Sequence, residues 1–331
     1  MMMTDQKPVL TVDLGGTKII AAVVLPDGKI ISRNYCLTMA DKGPEAVSSR
    51  ILSAVDRAIA QAKLKTLELI GIGVAAAGIL DTNRGIVTTS PNLPNWRNVP
   101  LRDILADKLG VVTYIINDAS AAALGEHRFG AGMGFGNIIY LTVSTGIGGG
   151  IIIDGELYSG TDGCAGEVGH MTIEAGGPQC HCGNHGCLEA LASGWAVAKA
   201  AITRINDGGK SSIIELVEGR LENITAETVA VAARRGDRLA ADIVAEAAEY
   251  LGIGLANLVN IFNPELIVIG GGLSKMGDML LKPARKVLKE RAFQLPADTV
   301  RVVRACLGSD AGIIGAAVYV FAQRAKIGAK A

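Results

Sequence analysis

Residues 8–29, PVLTVDLGGTKIIAAVVLPDGK, decide the reading of the fold. The apolar run 8–13 reads as a buried strand, and Leu14-Gly15-Gly16-Thr17 as a glycine turn. Lys18 to Leu25 is a second β-rich run, and Pro26-Asp27-Gly28 leads into a third strand near Lys29. Asp-Gly between two apolar runs is a hairpin signal. The same grammar returns in residues 137–158, NIIYLTVSTGIGGGIIIDGELY, about 130 residues further on. An internal repeat of this kind implies a duplicated domain, with a cleft between the halves.

Between the copies, residues 44–64 carry apolar side chains at helical spacing (Val47, Ile51, Val55, Ile59), and 69–74 read as a strand. Residues 81–100 hold turn formers and prolines and read as a long irregular loop, or one holding a short hairpin. A strand at 111–116 meets Asn117-Asp118, which opens an alanine-rich helix over 119–127. Beyond the second copy, 190–260 are mostly helical. A strand at 265–269 ends in Gly270-Gly271-Gly272 before a helix capped near Ser274. A strand at 299–305 is followed by Ser309-Asp310, expected to cap a final helix over 312–323.

Chemistry concentrates first in residues 166–189, GEVGHMTIEAGGPQCHCGNHGCLE. Cys180, Cys182 and Cys187 with one histidine are the donors that tetrahedral zinc prefers. His170, His181 and His185 compete for the fourth position. With His185 the ion fixes a small knuckle alone. With His170 it ties the Glu167–His170 turn to Glu189, converging two carboxylates and an imidazole as a sugar site requires. Against this stands a plain set of buried thiols, but three cysteines in eight positions beside Gly183 and Gly186 rarely serve packing.

The two glycine turns are candidate phosphate sites. Asp13, Gly15, Gly16, Thr17 and Lys18 form one, and Thr145, Gly146 and Gly148 the other. Bare backbone lets N–H groups approach phosphate oxygens. Neither has Walker A spacing, and the bland alternative is a hairpin that merely needs glycine. Gly271 and Gly272, after a strand and before a helix, give a third place where a ligand can lie against backbone. Asp118 is an N-cap on the plain reading, with Asn117 just outside. On the functional reading its carboxylate takes the proton of a hydroxyl attacking a γ-phosphate.

Composition narrows the classes. The 331 residues suffice for two domains, and 49% hydrophobic with 19% charged residues describes a globular chain. Lys+Arg and Asp+Glu are both 32, so no global field favours nucleic acid or an anionic membrane. There is no signal-peptide pattern and no apolar run of ~20 residues. Six cysteines with a metal-like cluster fit a reducing cytoplasm, and Cys36, Cys164 and Cys306 read as core residues.

Taken together, DLGGTK, IINDASAAALGE, STGIGGGIIIDGELYSG, AGEVGH, CHCGNHGCLEALASG, ELIVIGGG and GSDAGIIGAA resemble the ROK family of repressors, open reading frames and sugar kinases over nearly the whole chain. The resemblance implies an α/β fold of the duplicated actin/hexokinase-like (ribonuclease H-like) kind. Its two domains would be 1–124 with 309–331, and 125–308 containing the metal loop. It implies ATP, Mg²⁺ and a structural Zn²⁺ held by His170, Cys180, Cys182 and Cys187, and a homodimer or higher homo-oligomer. It implies Asp118 as general base, and Gly78, Asn92, Asn117, Glu167, His170 and Glu189 as sugar contacts.

Within the family, PNLPNW, VPL and GEVGHM are most similar to bacterial glucokinases, with N-acetylmannosamine or N-acetylglucosamine kinases as runners-up. Ala75-Ala76-Ala77-Gly78-Ile79 and Asn95 depart from the usual pattern near the sugar and bear on its identity. The family's repressors carry a helix-turn-helix domain before the DLGGT turn, which here begins at Asp13. The expectation is therefore a kinase.

Overall fold

The repeat becomes two five-stranded sheets of one strand order. The computed structural model describes residues 7–90 and 92–328. In the first sheet β1 (Val9–Leu14), β2 (Lys18–Val24), β3 (Ile30–Leu37), β4 (Ile72–Ala76) and β8 (Thr113–Asn117) lie in the order β3-β2-β1-β4-β8. In the second, β9 (Ile138–Val143), β10 (Ile147–Ile153), β11 (Glu156–Leu157), β12 (Leu266–Gly270) and β13 (Arg301–Arg304) lie in the order β11-β10-β9-β12-β13. β1, β4 and β8 run parallel, as do β9, β12 and β13. Both β4 and β12 are buried at every position, which explains their unalternating apolar sequences, IGVAA and LIVIG.

The chain divides into two compact units. One holds the described residues up to Gly136, Gly150–Gly166 and those from Cys306 onward; the other holds Asn137–Gly149 and Glu167–Ala305. This differs from the expected boundaries at 124 and 309, because the helix Asp118–Phe129 continues without a break. Gly125 of that helix lies bare against the carbonyl of Ala311, and Gly315 against that of Ala121. The buried carboxylate of Glu126 accepts hydrogen bonds from the backbone N–H groups of Ala131 and Leu307, both at 2.8 Å.

In the first unit the helix Gly43–Ala62 buries Val47, Ile51 and Val55 in one core cluster with β1 and β4. The helix Ala311–Gly328 contributes Ile313, Ala317 and Val320 to a second cluster with Val9 and Ile20. In the second unit Ile139, Leu141, Ile267 and Ile269 pack with Leu251 and Leu255 of the helix Arg238–Phe262. Leu280, Leu281 and Ala284 of the helix Asp278–Arg291 complete that core.

Local corrections follow from hydrogen bonding. The segment 81–100 is not an irregular loop, since β5 (Ile79–Asp81), β6 (Ile86–Thr89) and β7 (Arg97–Val99) form an antiparallel sheet. Its Val87, Leu93 and Trp96 are core residues. Ser274 lies in a 3₁₀ turn and donates to the carbonyl of Gly271 at 2.8 Å, while the following α-helix starts only at Asp278. Asp310 stands just before the last helix and pairs with Arg33 at 2.6 Å. Cys164 and Cys306 are exposed and Cys36 is half-buried, so none is a fully buried core thiol. No helix among the described residues is long and apolar enough to cross a membrane.

Candidate functional site

The first unit gathers its polar residues at the carboxyl ends of β1, β4 and β8, where open α/β sheets take ligands. The turn after β1 is closed by the Gly15 N–H donating to the Lys18 carbonyl at 3.0 Å. Thr38 pins it twice, its N–H to the carbonyl of Thr17 at 2.9 Å and its hydroxyl to that of Gly15 at 2.6 Å. This leaves Thr17 and Lys18 exposed. Thr38 carried no motif that could have marked it. A Cβ on Gly16 would stand 2.7 Å from the carbonyl oxygen of Asn92, so this glycine lets the Asn92 segment close on the turn.

Asn117, not Asp118, caps the helix. Its Oδ1 accepts from the N–H of Ala119 at 2.9 Å and of Ser120 at 3.1 Å, and its amide donates to the Gly78 carbonyl at 3.4 Å. Gly78 has φ 112°, and a side chain there would strike the backbone of Thr89 and Ser90. With the cap supplied, Asp118 is the first helical residue, and its Oδ1 accepts the N–H of Ala119 at 2.9 Å. Burial raises its pKa above the usual carboxylate value, opposed by that backbone hydrogen bond. Asp13 is raised to about 6, chiefly by burial and then by the charge of Asp118, with Lys18 pulling the other way. Two desolvated carboxyls side by side make a place for a cation and for a proton acceptor.

The Asp13 shift has a sign that can be tested. The folded state holds this proton more tightly than the unfolded chain, so its contribution to stability is full below about pH 4 and is lost as pH rises through about 6. In nucleotide-free protein, the melting temperature of the parent should drop relative to Asp13→Asn between pH 4.5 and 7. Parallel curves for the two proteins would dismiss the shift.

In the second unit, Glu189 organises the second glycine turn. Its Oε2 accepts the N–H of Ile147 at 2.8 Å and occupies the space where a Gly146 side chain would go. Gly146 is therefore a glycine for the sake of Glu189 as well as for any phosphate. A cavity of about 710 Å³ opens beside this turn. Of the expected nucleotide residues it is lined by Thr145 and Gly272, with Gly146, Gly148 and Gly271 outside its lining. Gly271, at φ 82°, instead lies against the backbone of Val143. The cavity also takes Trp195, Thr225, Arg234, Lys275 and Met276, which the sequence did not single out. Their one signal was position, Trp195 and Thr225 at helix starts, Arg234 at a helix end, and Lys275 and Met276 in the turn after β12.

The same unit assembles His170, Cys180, Cys182 and Cys187, whose donor atoms all lie within 4.8 Å of one another. Cys182 Sγ to Cys187 Sγ and Cys180 Sγ to His170 Nδ1 are both 3.7 Å. Sulfur ligands about 2.3 Å from a tetrahedral ion stand about 3.8 Å apart, so the set fits zinc. Burial and the neighbouring thiols push Cys187 up to about 12, a penalty on the thiolate that a bound dication offsets. His170 Nε2 faces Glu167 Oε2 at 3.9 Å, the outer contact that orients a ligating imidazole. His185 and His181 are outside the donor set. Cys180 Sγ lies 3.8 Å from Glu189 Oε1, which links this cluster to the glycine turn.

Paired sheets of equal order, each with a glycine turn after its first strand, define the actin/hexokinase-like two-domain class. A crystal structure of a ROK family glucokinase from Streptomyces griseus in complex with glucose and AMPPNP has TM-score 0.81 and 37% identity, over 94% of this chain and 98% of that one. The chain belongs to the ROK family, matching it over residues 9–323. It is 39% identical over 312 residues to the glucokinase of Thermotoga maritima, covering 93% of this chain and 96% of the relative. It is also 34% identical over 319 residues to the xylose repressor of Caldicellulosiruptor bescii, covering 96% of this chain and 79% of that protein.

Proposed function

We propose that this chain is an ATP-dependent hexose kinase that phosphorylates glucose to glucose 6-phosphate. The observation that carries the reading is the Asp118 carboxyl. It is desolvated, freed from capping by Asn117, and set beside a second acid, Asp13. Asp118 takes the proton of the sugar hydroxyl as its oxygen attacks the γ-phosphorus of ATP. Gly78, Asn92, Asn117, Glu167, His170 and Glu189 are the sugar contacts in this reading.

The nucleotide is bound by backbone N–H groups of the two glycine turns, with Thr17, Lys18 and Thr145 adding polar groups and Gly272 a bare wall. Asp13 would hold the nucleotide's Mg²⁺, whose charge would offset that of the transferring phosphoryl group. A zinc ion on His170, Cys180, Cys182 and Cys187 has four protein ligands and no open position, the pattern of a structural site. Its role is to hold the Glu167–His170 turn and Glu189. The protein acts in the cytoplasm, as the cysteine usage suggests, and as a homodimer or higher homo-oligomer, a part of the proposal that rests on the family resemblance.

Identity to the glucokinase, 39%, exceeds the 34% to the repressor, which favours a kinase. An ADP-release assay across glucose, mannose, fructose, N-acetylmannosamine and N-acetylglucosamine tests the substrate. The highest kcat/KM should belong to glucose. A higher value for either N-acetylhexosamine would reassign the sugar, and no turnover of any sugar would overturn the kinase reading.

A further inference from the structure

His181 sits between two metal-ligating cysteines yet offers the ion nothing, and its ring does something else. It stacks on the indole of Trp195, with centroids 4.3 Å apart and planes at 29°. Trp195 is part of the wall of the 710 Å³ cavity, next to Thr145 and Gly194. Its backbone N–H donates to the carbonyl of Thr145 at 3.2 Å, which fixes the residue to the glycine turn. Its side-chain Nε1 is buried and has no hydrogen-bond partner. The ammonium of Lys199 lies 5.7 Å from the indole centroid. An exposed histidine thus holds one side of an indole that forms a ligand wall, and the loop carrying that histidine is shaped by the metal cluster.

We infer that His181 is a positioning residue for the nucleotide, coupling the metal loop to the nucleotide cavity through the Trp195 indole. The inference rests on the proposed readings of that cavity and of the metal cluster. Its physical content is a wall held from behind. Without the imidazole the indole regains rotamer freedom, and binding a nucleotide then carries the cost of ordering it again. A stacked ring pair is worth roughly two- to tenfold in an equilibrium constant. The unpartnered Nε1–H raises the stake, because a ligand acceptor that reaches a buried donor removes a penalty present in the empty cavity. Coupling of this kind is reciprocal, so nucleotide should also steady the loop and slow the loss of its ion.

The test uses metal-loaded full-length protein and the variants His181→Ala, His181→Leu and His181→Phe. Zinc content is measured first, then ADP binding without sugar from tryptophan emission. The other tryptophan, Trp96, lies in the core of the first unit and serves as a constant background. His181→Ala should keep its zinc and raise the KM for ATP about two- to tenfold. The KM for glucose and kcat should stay within about twofold, and His181→Phe should restore the parent value. If His181→Ala sheds zinc, His181→Leu, which keeps bulk without a ring, takes its place in the comparison.

In a colorimetric chelator assay, ADP should slow zinc release from the parent but not from His181→Ala. Unchanged ATP affinity together with unchanged protection by ADP would overturn the inference while leaving both readings intact. A parent protein without zinc would remove the metal reading, and one that binds no ADP the nucleotide reading, and the inference would fall with either.

Discussion

Asp118→Asn should fold as the parent does and lose about 10²–10⁴-fold in kcat, the usual worth of general-base assistance. The amide oxygen can still accept the N–H of Ala119, and the helix keeps its cap because Asn117 supplies it. What disappears is the ability to take a proton. The KM for the sugar should move by no more than about threefold, since an amide replaces a carboxylate of the same shape. Removing the charge also relieves Asp13, whose elevated pKa owes part of its shift to Asp118. A folded variant that keeps more than about a tenth of parental turnover would take Asp118 out of the base role.

The second large effect concerns the metal. Cys182→Ser and His170→Ala should each lose stoichiometric zinc, melt at a lower temperature and bind the sugar more weakly. His185→Ala should keep one zinc per chain, because His185 is exposed and its backbone only bridges to Gln179. In the proposed reading, sugar binding depends on the ion through two routes. His170 presents Nε2 to Glu167, and Cys180 lies against Glu189. Elemental analysis of the purified variants decides it. Zinc lost from His185→Ala but retained in His170→Ala would reverse the ligand assignment and the coupling built on it.

Much of this was legible in the chain itself because it depended on local pattern. The repeated strand and glycine-turn grammar reported the duplicated sheets, since buried parallel strands write themselves as apolar runs. The cysteine spacing marked Cys180, Cys182 and Cys187, which the structure brings together with His170. Less legible were choices that long-range contact decides. Nothing near Asn117 and Asp118 says which of two adjacent capping residues will cap; the structure chose Asn117, whose amide also reaches Gly78. Gly146 and Gly16 look like phosphate glycines, and only the folded chain shows Glu189 and Asn92 pressed against them. Segment 81–100 reads as loop because its strands are three or four residues long, too short for alternation to register. Trp195 and His181 drew no notice as a pair, since a stack between residues fourteen apart has no periodic signature.

The helix Ala311–Gly328 closes the first unit from the far end of the chain, with Gly315 bare against the Ala121 carbonyl and Val320 against Val9 and Ile20. This sets an order of events during synthesis. Synthesis makes Val9 before, and Ala311 after, all of Asn137–Ala305, so the first unit stays incomplete while that stretch is being made. The second unit, begun later, has its whole sequence first, the reverse of the usual N-terminal-first sequence of domain folding. Until residue 311 emerges, one face of the sheet that carries Asp13 is uncovered, and a nascent chain has its cysteine loop before it has a finished first unit.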